Sequence, residues 1–114
     1  MNKPGFKTAI PKRRYKLGEF SIVVLSEIDS SDGIDYQYIL AVVQGQDPEP
    51  GLYITAEKPA ALHGDFSMRF IMKDGAEVIG NSTEWGDVAA FSEEALKIVS
   101  RVLNLGDETP YRLM

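Results

Sequence analysis

One change of period divides this chain. Up to about Gly80 the apolar residues recur every second position, and beyond it they recur at helical spacing. A chain of 114 residues with that order has room for one sheet followed by one helix around a single core. The stretch "NSTEWGD", Asn81 to Asp87, lies at the change and contains the only tryptophan, Trp85. The backbone must leave the sheet and start a helix there. Gly86 permits the turn, Asp87 or Ser92 is positioned to cap the helix, and Trp85 reads as the anchor of that corner.

The sheet can be followed segment by segment. "YKLGEFSIVVLSEI" (Tyr15 to Ile28) reads as one long strand, and "DSSDG" (Asp29 to Gly33) as a turn whose side chains bond local backbone. "IDYQYILAVV" (Ile34 to Val43) carries apolar residues on both faces, as a central strand does, and "LYITAE" (Leu52 to Glu57) gives a short third strand. Between them "QGQDPEPG" breaks the ladder, because Pro48 and Pro50 lack the donor a strand needs. "FSMRFIMKDGAEVIG" reads as a hairpin turning on Asp74-Gly75.

In "DVAAFSEEALKIVSRVLNLG", Val88, Phe91, Ala95, Ile98 and Val102 fall on one helical stripe that Leu96, Val99 and Leu103 widen. Glu93, Lys97 and Arg101 stand opposite at i, i+4, i+8, with the acid before the bases, and the Glu93–Lys97 pair is worth roughly 0.3–0.5 kcal/mol. Gly106 is placed to end the helix, and Pro110 prevents its resumption. The fold expected is α+β, an antiparallel meander of about five strands packed by one long C-terminal helix. One helix covers only part of such a sheet. Val23, Leu25, Ile39 and Val43 on the other face would then be free to meet a second subunit, the tail "DETPYRLM" or a ligand.

Charge is unevenly spread. Lys3, Lys7, Lys12, Arg13, Arg14 and Lys16 make up half of the basic residues, while from Leu17 onward six basic residues face all 17 acids, a net of −11. This divides the chain into a basic N-terminal arm over residues 1–14, which need not be ordered, and a single domain over 15–114. Lys12, Arg13 and Arg14 are the candidate partner contacts. The acidic body argues against nucleic acid, which it would repel. There is no cysteine, so disulfides, thiolate chemistry and cysteine-built zinc or iron–sulfur sites are excluded. No window approaches a membrane span, and the expected setting is cytoplasmic.

Catalytic and metal motifs are lacking. His63 is the only histidine, with Asp65 beside it but no nucleophile pattern, and it reads as a solvated loop residue. "DSSDGID" has acids at the wrong offsets for a calcium loop. No glycine pattern for phosphate occurs, and no cofactor is implied. The candidate ligand-contacting or anchoring residues are Tyr36, Tyr38, Phe70 and Trp85, which a pocket between sheet and helix would bring together.

The strand "YILAVV" and the C-terminal third, "EWGDVAAFSEEALKIVSRVLNLGDETPYRLM", resemble a small family of uncharacterised bacterial proteins. The resemblance implies an α+β fold and carries no assigned activity or functional residues. Three functions are therefore expected in descending order. The first is a small non-enzymatic interaction or accessory protein that self-associates or binds a protein partner. The second is a small-molecule binder with an apolar pocket between sheet and helix. The third is an enzyme working through carboxylates, Asp65 with His63 or Glu84 with Asp87.

Overall fold

A computed structural model describes residues 3–59 and 64–114. Seven strands form one sheet: β1 (Phe6–Leu17), β2 (Phe20–Ser30), β3 (Tyr36–Gln44), β4 (Leu52–Glu57), β5 (Phe66–Met72), β6 (Gly75–Ser82) and β7 (Tyr111–Arg112). The one α-helix among the described residues, α1 (Val88–Val102), follows a short 3₁₀ turn at Thr83–Gly86. The spatial order is β6-β5-β4-β3-β2-β1-β7, with every neighbouring pair antiparallel. The fold is α+β as expected, and β3 is the middle strand.

The strand count is seven rather than about five, for two reasons. Gly18 adopts φ +59, a conformation glycine takes at little cost, so the expected long strand folds into a hairpin closed by Leu17 opposite Phe20. The incoming half of that hairpin reaches back through residues 6–14, which belong to β1 rather than to a separate arm. Main-chain pairing with β2 needs no apolar side chains, and Lys and Arg suit an outer strand because they discourage pairing with other chains. The tail then adds β7, with Tyr111 opposite Lys16 and Arg112 opposite Tyr15.

Two turn assignments also change. The β5–β6 hairpin closes at Met72 opposite Gly75, so its two loop residues are Lys73 and Asp74. The left-handed residue that stops the helix after Val102 is Asn104 rather than Gly106. Asn104 takes φ +57, its N–H reaches the Arg101 carbonyl at 3.3 Å, and the Leu105 N–H reaches that of Ser100 at 2.7 Å, a pairing that satisfies carbonyls the last turn would otherwise leave open. At the other end Asp87 caps α1 by accepting from the Ala90 N–H at 3.0 Å.

The core lies between α1 and one sheet face. Leu17, Val24, Leu40, Ile54, Met68, Phe91, Ala95 and Val99 are fully enclosed. The helical stripe lands as expected except for Val102, which is exposed at the last turn. The opposite sheet face is not bare: Ile39, Thr55 and Ile71 are buried there, and Ala41 is only 4% exposed. Lys3 and Ile34 share a cavity of about 150 Å³ with Tyr36, Arg69 and Ile71, so the N-terminal residues and the β2–β3 loop lie over part of that face. Val23, Leu25, Val43 and Tyr53 remain half-buried beside them.

Candidate functional site

The β2–β3 pair opens into a fork. The two strands are paired only from Phe20 opposite Gln44 to Leu25 opposite Ile39. Beyond Leu25, β2 stays with β1 as far as Phe6 opposite Ser30, while β3 stays with β4 as far as Tyr36 opposite Glu57. The five residues Ser26–Ser30 and the three residues Tyr36–Tyr38 therefore diverge, each run paired in the sheet only with its outer neighbour.

Slips of register cause the divergence. On β1, Lys12 is an extra residue between the pairs Pro11–Leu25 and Arg13–Val24. On β2, three steps from Ser26 to Asp29 match two steps from Ile10 to Thr8, and Glu27 sits in this slip at φ +48. On β3, Gln37 is extra between Tyr36–Glu57 and Tyr38–Ala56. A bulge bends its strand and re-aims the side chains around it. Lys12, Glu27 and Gln37, one from each of three adjacent strands, line the same cavity of about 460 Å³ with Ser26, Ile28 and Lys58. That volume is within the roughly 300–1,000 Å³ usual for ligand sites. Its lining is mostly polar.

The fork is fixed at both ends. Toward α1, Gln37 and Tyr38 point the same way, and the Gln37 Nε2 and the Tyr38 hydroxyl both donate to the Gly86 carbonyl, at 3.3 and 3.2 Å. At the open end Asp32 gathers three donors: the Gly5 N–H at 2.9 Å, the Ile34 N–H at 3.0 Å and the Tyr36 hydroxyl at 2.5 Å. The Ser31 N–H returns a bond to the Gly5 carbonyl at 3.0 Å. Burial alone would raise the Asp32 pKa, but the bonds from Tyr36, Gly5 and Ile34 outweigh it and hold the carboxyl below its ordinary value. Burial first, then the bond to Asp32 and its charge, pushes the Tyr36 phenol well above the usual tyrosine range. Beside this clamp Arg69 Nε donates to Glu57 Oε2, which also accepts from the Thr55 hydroxyl at 2.9 Å.

The expected four-residue pocket is divided between two places. Tyr38, Phe70 and Trp85 pack on the helix side of the core, with Tyr38 stacked on Phe91 at 5.5 Å between ring centroids. Tyr36 is turned away by the slip at Gln37 and stands between the fork and the Asp32 clamp. An apolar cavity between sheet and helix does exist, about 170 Å³ in size, at the far end of α1, where Phe20, Val42, Leu52, Met72 and Leu103 meet. Trp85 is half-buried against Gly80. Gly86 is needed for close approach rather than for its turn, since a Cβ there would stand 2.8 Å from the Phe66 ring.

The three candidate contact cations do not form one patch either. Lys12 lines the fork, Arg13 donates to the Tyr15 hydroxyl at 3.2 Å, and Arg14 is exposed, its carbonyl held by the Leu113 N–H at 2.7 Å. The ion pairs among the described residues are Lys58–Asp35 at 3.4 Å and Arg69–Glu57. His63 lies outside the described residues. Of the two carboxylates weighed for catalysis near the corner, Asp87 is occupied as the helix cap, and Glu84 is exposed. Among the described residues no group of three or more His, Cys, Asp or Glu side chains is placed to hold a metal ion, and no helix is long and apolar enough to cross a membrane.

The fork was missed in sequence because a register slip belongs to two strands at once. The local signal is weak: a polar glutamine between Tyr36 and Tyr38, next to a run that is apolar from Ile39 to Val43. No family model matches the chain, and no curated protein or solved structure is detectably similar to it.

Proposed function

We propose that this protein is a small non-enzymatic binding module whose ligand occupies the fork between β2 and β3. The observation that carries this reading is the convergence of three register slips, at Lys12, Glu27 and Gln37, on one polar cavity. Bulges cost ladder hydrogen bonds and cluster beside functional sites. Glu27 adds backbone strain, because a non-glycine residue at positive φ costs about 1–3 kcal/mol and persists where its surroundings enforce it.

The test is an NMR titration of the full-length ¹⁵N-labelled chain with a diverse set of polar small molecules and short peptides. Binders should shift the amides of Ser26–Ile28 and Tyr36–Tyr38, and Lys12→Glu should weaken them. Binders that shift only residues around Phe20 and Leu103 would move the function to the apolar cavity instead.

Self-association is a second reading, favoured by a different observation. Val78 and Ile79 are 61% and 41% exposed on β6, the outermost strand, which carries Glu77 as its one charge. The opposite edge of the sheet is protected by the basic residues of β1 and by the tail strand β7 docked on it. A second copy would meet this edge rather than the far sheet face, where Ile39, Ala41 and Ile71 are already buried. Sedimentation velocity of the native chain and of a Val78→Glu, Ile79→Glu variant tests this: the native chain should associate and the variant should not.

A further inference from the structure

The chemistry of the fork narrows its occupant, on the assumption that the binding reading above holds. In an antiparallel strand the main-chain N–H and C=O groups point alternately to the two sides. Over Ser26–Ser30, β2 uses one side for β1, and over Tyr36–Tyr38, β3 uses one side for β4. The inner sides of both runs are not paired to each other. They are two short strand edges facing across one cavity, carrying groups that need hydrogen-bond partners from water or from a ligand. A compact anion satisfies few of these groups. An extended main chain satisfies them in the pattern by which it adds to a sheet.

We propose that the fork binds a short extended segment of a partner protein, its main chain bonded to the inner edges of β2 and β3. A cavity of about 460 Å³ admits only a few residues, so recognition is confined to a short motif. Charge sets the side chains. Lys58 is already paired with Asp35 at the rim, whereas Lys12 enters neither of the ion pairs among the described residues. An acidic residue opposite Lys12 completes the site, and Glu27 disfavours a second acid on the β2 side.

The test uses the full chain and three probes: the hexapeptide acetyl-Thr-Val-Glu-Val-Thr-Val-amide, the same peptide N-methylated at alternate residues, and glutarate. The unmodified peptide should shift the amides of Ser26–Ile28 and Tyr36–Tyr38. N-methylation should weaken it about tenfold or more, the scale expected when hydrogen bonds that hold the ligand are removed. Lys12→Glu should weaken the unmodified peptide and spare a version with lysine in place of its glutamate. Equal binding of the methylated peptide would overturn main-chain recognition while leaving the fork as the binding site. Binding of glutarate alone in the fork would likewise replace the peptide with a small anion. If no probe moves the fork amides, the peptide proposal and the binding reading beneath it both fall.

Discussion

The Gln37 side-chain amide and the Gly86 carbonyl meet at 3.3 Å across 49 residues of sequence, and the Tyr38 hydroxyl reaches the same carbonyl at 3.2 Å. One main-chain oxygen thus ties the bulge of β3 to the corner from which α1 starts. Tyr38→Phe and Gln37→Ala should each cost about 1 kcal/mol, the usual net worth of such a bond. The double variant should cost more than the sum, because it leaves the carbonyl without either donor. Urea denaturation of the four proteins measures both quantities.

Glu27 at φ +48 stores strain that glycine would release. Glu27→Gly should raise stability by about 0.5–1 kcal/mol, the relief exceeding the entropy glycine loses on folding, whereas the β-branched Glu27→Val should lower it by about 1 kcal/mol or more. Thermal denaturation separates the two, since they lie on opposite sides of the native protein.

Ser92 is fully buried on α1, and its hydroxyl has no hydrogen-bond partner among the described residues. Removing a buried polar group that bonds nothing recovers its desolvation cost, so Ser92→Ala should stabilise the fold by about 1 kcal/mol. A loss of stability would mean that the hydroxyl is satisfied in solution.

The Asp32 clamp makes the N-terminal residues sensitive to pH at both extremes. The Asp32 carboxyl is depressed in the folded state, so its contribution is present above the ordinary carboxylate pKa of about 4 and is lost as pH falls through the lower folded value. The Tyr36 phenol is raised, so its contribution is complete below the ordinary value of about 10 and is lost as pH climbs beyond it. The protection of the Gly5 and Ile34 amides against exchange, corrected for the intrinsic rate, should therefore fall at low pH in the native chain. Asp32→Asn should flatten the acid limb of the stability profile, and Tyr36→Phe the alkaline limb.

Trp85 is half-buried, and its ring rests near Gly80. Trp85→Ala should cost about 2 kcal/mol, less than the roughly 3–5 kcal/mol of a fully enclosed aromatic such as Phe91. Gly86→Ala should cost about 1–3 kcal/mol, because its methyl would press on the Phe66 ring. Chemical denaturation of the three variants should order them with Phe91→Ala the most damaging.

What could be read in advance was whatever a single segment determines. The change of period located the corner, Asp87 fitted a cap, and the apolar run of β3 marked it as central. Features set by two distant segments were hidden. Tyr36 alternates with Tyr38 in sequence and belongs on its face by parity, yet the extra residue at Gln37 sends it to the clamp. Residues 6–14 look like a loose basic arm because four of the nine are cations and none is acidic, and they become a strand because β2 offers an edge to their main chain. Asn104 ended the helix before Gly106 because asparagine also tolerates the left-handed region.

The inner edges of the fork are the binding site proposed for this protein. Hydrogen exchange of the full chain, with and without the acidic hexapeptide, tests it most directly. The inward-facing amides of Ser26–Ser30 and Tyr36–Tyr38 should exchange fast in the free protein and be slowed selectively when the peptide is bound. Exchange there that is slow in the free protein, or unchanged while protection appears elsewhere, would contradict it.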